Sequence, residues 1–131
     1  MKPLTREWVE KAEGDYRVAS AQWQSADPVW DAICYHAGQC AEKHLKAWLL
    51  EQEADFPRTH DLEVLARLCT PTLGDMTDLM DGLAFLTSAA VEVRYPGMVA
   101  QKHDAFTCLE LARGVRRFLR NTLCPDSDEH F

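Results

Sequence analysis

The sequence has no apolar run near the ~20 residues that a bilayer-spanning helix needs, although 47% of its residues are hydrophobic. That absence excludes a membrane-spanning segment and points to a soluble chain. The opening stretch MKPLTREWVEKAEGDY has neither the continuous apolar core nor the small-residue cleavage site of a signal peptide, which argues against secretion and for the cytoplasm. The two-residue alternation of a half-buried strand is missing throughout, so no sheet is expected. Five cysteines, Cys34, Cys40, Cys69, Cys108 and Cys124, form no CxxC pair and are odd in number. They read as small, reduced core residues rather than a disulfide framework. A basic excess is also lacking: the formal charge is −7, which excludes indiscriminate nucleic-acid binding but leaves room for a local basic site.

What the sequence does have is helical periodicity over almost its whole length. Trp8, Ala12, Tyr16, Ala19 and Trp23 are spaced by three or four, predicting a first helix over about Thr5 to Gln24, with Thr5 as N-cap and Leu4 stapled against Val9. Asp27 and Pro28 read as a cap and first-turn proline for a second helix running to about Glu51. Pro57 breaks the chain, and Thr59 or His60 caps a short helix in DLEVLARLC. PTLGD is the next break, with Asp75 capping a fourth helix whose stripe of Met76, Leu79, Met80, Leu83, Leu86, Ala90 and Val93 ends at Tyr95, before Pro96 and Gly97. Ala105, Cys108, Ala112, Val115 and Leu119 mark the last helix. The expected fold is therefore all-α: an up-and-down antiparallel bundle of four long helices plus one short helix. The 131 residues are enough for one domain with its own core. Residues 1–124 read as that domain and 125–131 as an acidic, frayed tail carrying Asp126, Asp128 and Glu129.

Three constellations have side chains suited to chemistry. On a helical wheel the second helix gathers Ile33, Ala37, Cys40, His44 and Trp48 on one face, and sets Gln39, Glu42 and Lys46 opposite with Lys43 near the edge. The polar face reads either as solvated surface or as a ligand-facing Gln39, Lys43 and Lys46 stripe. His36, Cys40 and His44 stand at i, i+4 and i+8, but a straight helix sets the outer two about 12 Å apart, at ~1.5 Å per residue. No metal or other cofactor is therefore expected, and His44 reads as a buried, hydrogen-bonded histidine.

The second constellation is VRYPGMVAQKHD, at the junction of the last two helices. Arg94 offers a phosphate-clamping fork, Tyr95 a stacking face, Lys102 a cation and His103 a group that moves protons near neutral pH. The alternative is a helix-end arginine beside a structural Tyr-Pro turn. The third is the stripe Arg113, Arg116, Arg117 and Arg120, which reads as dipole-compatible surface facing the acidic tail, or as a phosphate-tracking or docking face.

The opening helix Trp8 to Ala19, GQCAEKHLKAWL, PRTHDLEVL and VRYPG occur in this order along Thr5 to Leu123. Together they resemble the HEPN family, the higher-eukaryote and prokaryote nucleotide-binding domains. In that family the second helix reads roughly QAAEKALKAL, which aligns with Gln39 to Trp48 and puts alanine where this chain has Cys40 and His44. The resemblance implies a helical bundle that binds nucleotide or RNA, forms homodimers, and in prokaryotes partners a minimal nucleotidyltransferase in a toxin–antitoxin-type pair. Gln39, Lys43, Lys46, His60, Arg94, Tyr95 and Lys102 are then the candidate nucleotide- or RNA-binding residues. Some members are metal-independent ribonuclease toxins with an Arg-x(4–6)-His motif acting at a dimer cleft, which here would assign catalysis to Arg94 and His103. Their spacing is Arg-x8-His instead. A purely structural helical dimer is the remaining alternative.

Overall fold

In the computed structural model, which describes residues 1–123, the chain forms five helices: α1 (Pro3–Gln24), α2 (Trp30–Glu51), α3 (Leu62–Leu73), α4 (Thr77–Glu92) and α5 (Lys102–Leu123). No strand occurs among the described residues, as the periodicity predicts. The acidic tail and Cys124 lie outside them.

Cross-helix contacts set the directions. Glu51 at the end of α2 accepts the Lys2 N–H and the Thr5 hydroxyl at the start of α1, so these helices are antiparallel. Arg116 of α5 reaches Glu13 of α1 while Arg113 reaches Tyr16, which makes α1 and α5 antiparallel too. The α4 and α5 backbones approach at Gly82 beside Leu111 and at Leu79 beside Gly114, again running in opposite directions. The result is an up-and-down arrangement, with α3 as the short helix between α2 and α4.

α2 packs against all four other helices. Ile33, Ala37, Cys40, Ala41 and Leu45 are wholly buried. Gly38 permits one close approach, because a Cβ there would come within 2.5 Å of the Ala90 Cβ on α4. α4 is thus the helix that the small residues of α2 admit most closely here.

The helix ends differ in detail from the sequence reading. Lys2, not Thr5, is the N-cap of α1; Thr5 is buried inside the helix and donates to Glu51, while Leu4 is exposed. The long-range acceptor outcompetes local capping. Asp27 does not cap α2, which starts at Trp30 after an uncapped Val29; Gln22 Oε1 accepts the Val29 N–H at 3.0 Å instead. Asp61, rather than Thr59 or His60, caps α3 by accepting the Glu63 N–H at 3.0 Å. α3 also runs through Pro71 to Leu73, past the expected break. A proline in the last turn forfeits one N–H bond, and the Thr70 and Thr72 hydroxyls satisfy nearby carbonyls of Ala66 and Cys69. Met76, not Asp75, is the N-cap of α4, although the Asp75 carboxylate just ahead of it accepts the Thr77 N–H at 2.9 Å. α4 stops at Glu92, three residues before Tyr95.

Candidate functional site

The central position of α2 changes the status of its polar face. Glu42 was expected on the solvent side, yet its side chain is only 9% exposed. It accepts Lys46 Nζ at 3.0 Å and His60 Nδ1 at 2.8 Å. One carboxylate thus ties α2 to the segment ahead of α3. Elsewhere along α2, Asp15 of α1 accepts both Lys43 Nζ, at 2.6 Å, and His36 Nδ1, at 2.8 Å. The predicted ligand-facing lysines therefore already have carboxylate partners, and Gln39 is half-buried.

His44 is fully buried, as expected, with Nδ1 donating to the Cys40 carbonyl at 3.0 Å. Burial lowers its pKa to about 4; the nearby Glu13 carboxylate and the Cys40 carbonyl oppose the shift without overcoming it. The ring is neutral, and its Nε2 has no hydrogen-bond partner among the described residues. Burial also pushes the Cys69 thiol up to about 12 and raises that of Cys40, so both stay protonated. Among the described residues no group of three His, Cys, Asp or Glu side chains could hold a metal ion.

The arginine stripe on α5 serves largely to hold the fold together. Arg116 is buried, donates from Nε to Glu13 at 2.6 Å, and lies 4.0 Å over the Tyr16 ring. Arg120 pairs with the other oxygen of Glu13. Arg113 donates to the Tyr16 hydroxyl at 3.1 Å and also pairs with Glu110. Burial alone would raise the Tyr16 phenol, but the Arg113 hydrogen bond and the adjacent guanidinium charges leave it lowered. A continuous phosphate-tracking face is therefore not what α5 presents; its arginines staple it to α1. The i, i+3, i+4 pattern was visible in the sequence, whereas the partner Glu13, 103 residues away, was not.

The junction between α4 and α5 is different. Arg94, Tyr95, Lys102 and His103 are all exposed, Tyr95 by 59%. Arg94, Lys102 and His103 make no ion pair or side-chain hydrogen bond among the described residues. The segment itself is pinned. Asp31 of α2 accepts the Ala100 N–H at 2.7 Å, and Asp104 accepts the Gln101 N–H at 2.9 Å, closing the start of α5. Gly97 takes φ +87°, a left-handed turn that suits glycine. Beside it lies a shallow hollow of about 170 Å³ lined by Phe85, Ala89, Glu92, Val93, Met98 and Val99. Val99 is 78% exposed and Met98 45%, so apolar surface adjoins the cationic turn. The cations are legible in the sequence but this apolar rim is not, since its only signal there is MV inside a turn.

No helix among the described residues is long and apolar enough to cross a membrane. Two solved structures share the fold. TT1696 from Thermus thermophilus is 22% identical, with a TM-score of 0.75 over 89% of this chain and 96% of its own. ST0689, an archaeal HEPN homologue, is also 22% identical, with a TM-score of 0.71 over 94% of this chain and 99% of its own. No curated protein matches. The sequence profile of the HEPN domain matches residues 5–122, nearly the whole helical bundle. The chain belongs to the HEPN domain family.

Proposed function

We propose that this HEPN domain binds RNA or nucleotide through the α4–α5 junction, as the module that partners a minimal nucleotidyltransferase in a toxin–antitoxin-type pair. The observation that carries the reading is a contrast between two sets of cations. Lys43, Lys46, Arg113, Arg116 and Arg120 have carboxylate partners within the fold. Arg94, Lys102 and His103 are exposed and have none among the described residues. A guanidinium matches phosphate geometry with two parallel N–H donors, and the exposed Tyr95 ring beside it gives an unstacked base a π-face.

The apolar rim of Phe85, Met98 and Val99 supports a homodimer that would bring two such turns together, since exposed apolar patches commonly mark protein contacts. In a dimer of that kind His103 from each chain would face the phosphate bound by Arg94, and a ribonuclease would use it for proton transfer. The longer Arg-x8-His spacing favours binding over cleavage. Titration of a labelled single-stranded RNA into the native protein and into Arg94→Ala tests the reading. Weaker binding by the variant supports it; equal binding, or none by the native protein, overturns it.

A further inference from the structure

The connection between α2 and α3 and the start of α1 enclose a groove of about 420 Å³, lined by Trp8, Lys46, Phe56, Pro57, Arg58 and His60. That volume lies within the ~300 to 1,000 Å³ of small-molecule sites. We propose that this groove is a second, self-contained site for a nucleoside monophosphate, its base against Trp8 and Phe56 and its phosphate on Arg58. The ligand class rests on the nucleotide-binding reading; the site itself is separate from the Arg94 junction.

Charge supports an anionic occupant. Lys46 is neutralised by the buried Glu42 carboxylate, which leaves Arg58 as the cation that this groove, in a chain of net −7, holds in excess. Arg58 is exposed and makes no ion pair or hydrogen bond among the described residues. Its planar fork suits a phosphate better than a point charge does. The adjoining surface beyond Trp8 has Glu7 and Glu10 against Lys11 and Lys43, and Lys43 is already held by Asp15. The positive excess is thus confined to the Arg58 end.

The groove is also held in shape before any ligand arrives. His60 is fixed to Glu42 at 2.8 Å, the Thr59 hydroxyl accepts the Asp61 N–H at 3.0 Å, and Asp61 caps α3. Phe56 packs against the core on one side of Arg58. A loop tied on both sides of its cation loses little freedom on binding, which favours affinity. With Nδ1 donating to Glu42, the 73% exposed His60 ring presents Nε2 as an acceptor for a ribose hydroxyl.

Calorimetric titration with adenosine monophosphate, inorganic phosphate and adenosine separates the two halves of the site. The monophosphate is expected to bind more tightly than either fragment. Arg58→Ala weakens it about tenfold or more, and Arg58→Lys restores part of the loss. Tryptophan fluorescence quenching by the monophosphate is expected to fall in Trp8→Phe. Binding of the monophosphate no tighter than phosphate, or unaffected by Arg58→Ala, overturns the site. Labelled RNA titrated into the same proteins tests the junction separately: RNA binding lost in Arg94→Ala with no monophosphate binding would remove the groove alone. Monophosphate binding that depends on Arg58, with RNA binding indifferent to Arg94, would remove the junction alone.

Discussion

The Glu42 carboxylate accepts the His60 imidazole at 2.8 Å while its other oxygen holds Lys46 at 3.0 Å. This joins the middle of α2 to the residues just before α3. Lys46 and Glu42 are only 12% and 9% exposed, so the pair is not the solvated i,i+4 contact of ~0.3 to 0.5 kcal/mol that spacing alone suggests. Removing one partner strands a largely buried charge, at a cost of about 3 kcal/mol. Glu42→Ala should destabilise the protein by that amount, measured by urea unfolding, and Glu42→Gln by less. RNA binding at Arg94 should survive either change under conditions where the variant remains folded.

His44 predicts acid lability. The folded protein keeps this ring neutral down to about pH 4, whereas the unfolded chain protonates it near the ordinary 6.5. The unfolded state therefore binds more protons between those values. The His44 contribution is fully present above about pH 6.5 and is lost as the pH falls toward 4, by on the order of 3 kcal/mol. Unfolding free energies measured across that window should fall steeply in the native protein and less steeply in His44→Ala. Parallel curves for the two proteins would contradict this assignment.

Gly38 predicts a reversal of helix propensity. Alanine in a helix interior is normally favoured over glycine by about 1 kcal/mol. Here the added Cβ would meet the Ala90 Cβ at 2.5 Å, and neither belongs to a side chain able to swing aside. Overpacking typically costs about 1 to 3 kcal/mol. Thermal unfolding of Gly38→Ala should show a lower Tm, with Ala90→Gly in the same chain recovering part of the loss.

Much of the fold was legible in local spacing. The α4 stripe through Leu83 and Leu86 and the α5 stripe through Ala105, Cys108 and Leu119 are the buried faces observed. The small-residue face of α2 likewise packs inward. Illegible features depend on residues distant in the chain. Thr5 reads as a cap until Glu51 supplies a better partner. Arg116 is an ordinary helix-end cation until Glu13 and Tyr16 enclose it. Glu42 reads as surface because a helical wheel assumes a solvated side, and a helix surrounded by four others has little of one. Arg94 and His103 were legible because their exposure follows from the Pro-Gly turn between them; Arg58 lay in a quoted motif, but its groove needs Trp8 from α1.

The central proposal is that phosphate is contacted where cations are left uncommitted by the fold. Single-stranded RNA titrated into the native protein, Arg94→Ala and Lys43→Ala, at one fixed salt concentration, tests it most directly. The prediction is about tenfold weaker binding for Arg94→Ala, little change for Lys43→Ala, and no cleavage of the RNA in EDTA by any of the three. Equal affinity of Arg94→Ala and the native protein, or a loss confined to Lys43→Ala, would contradict it.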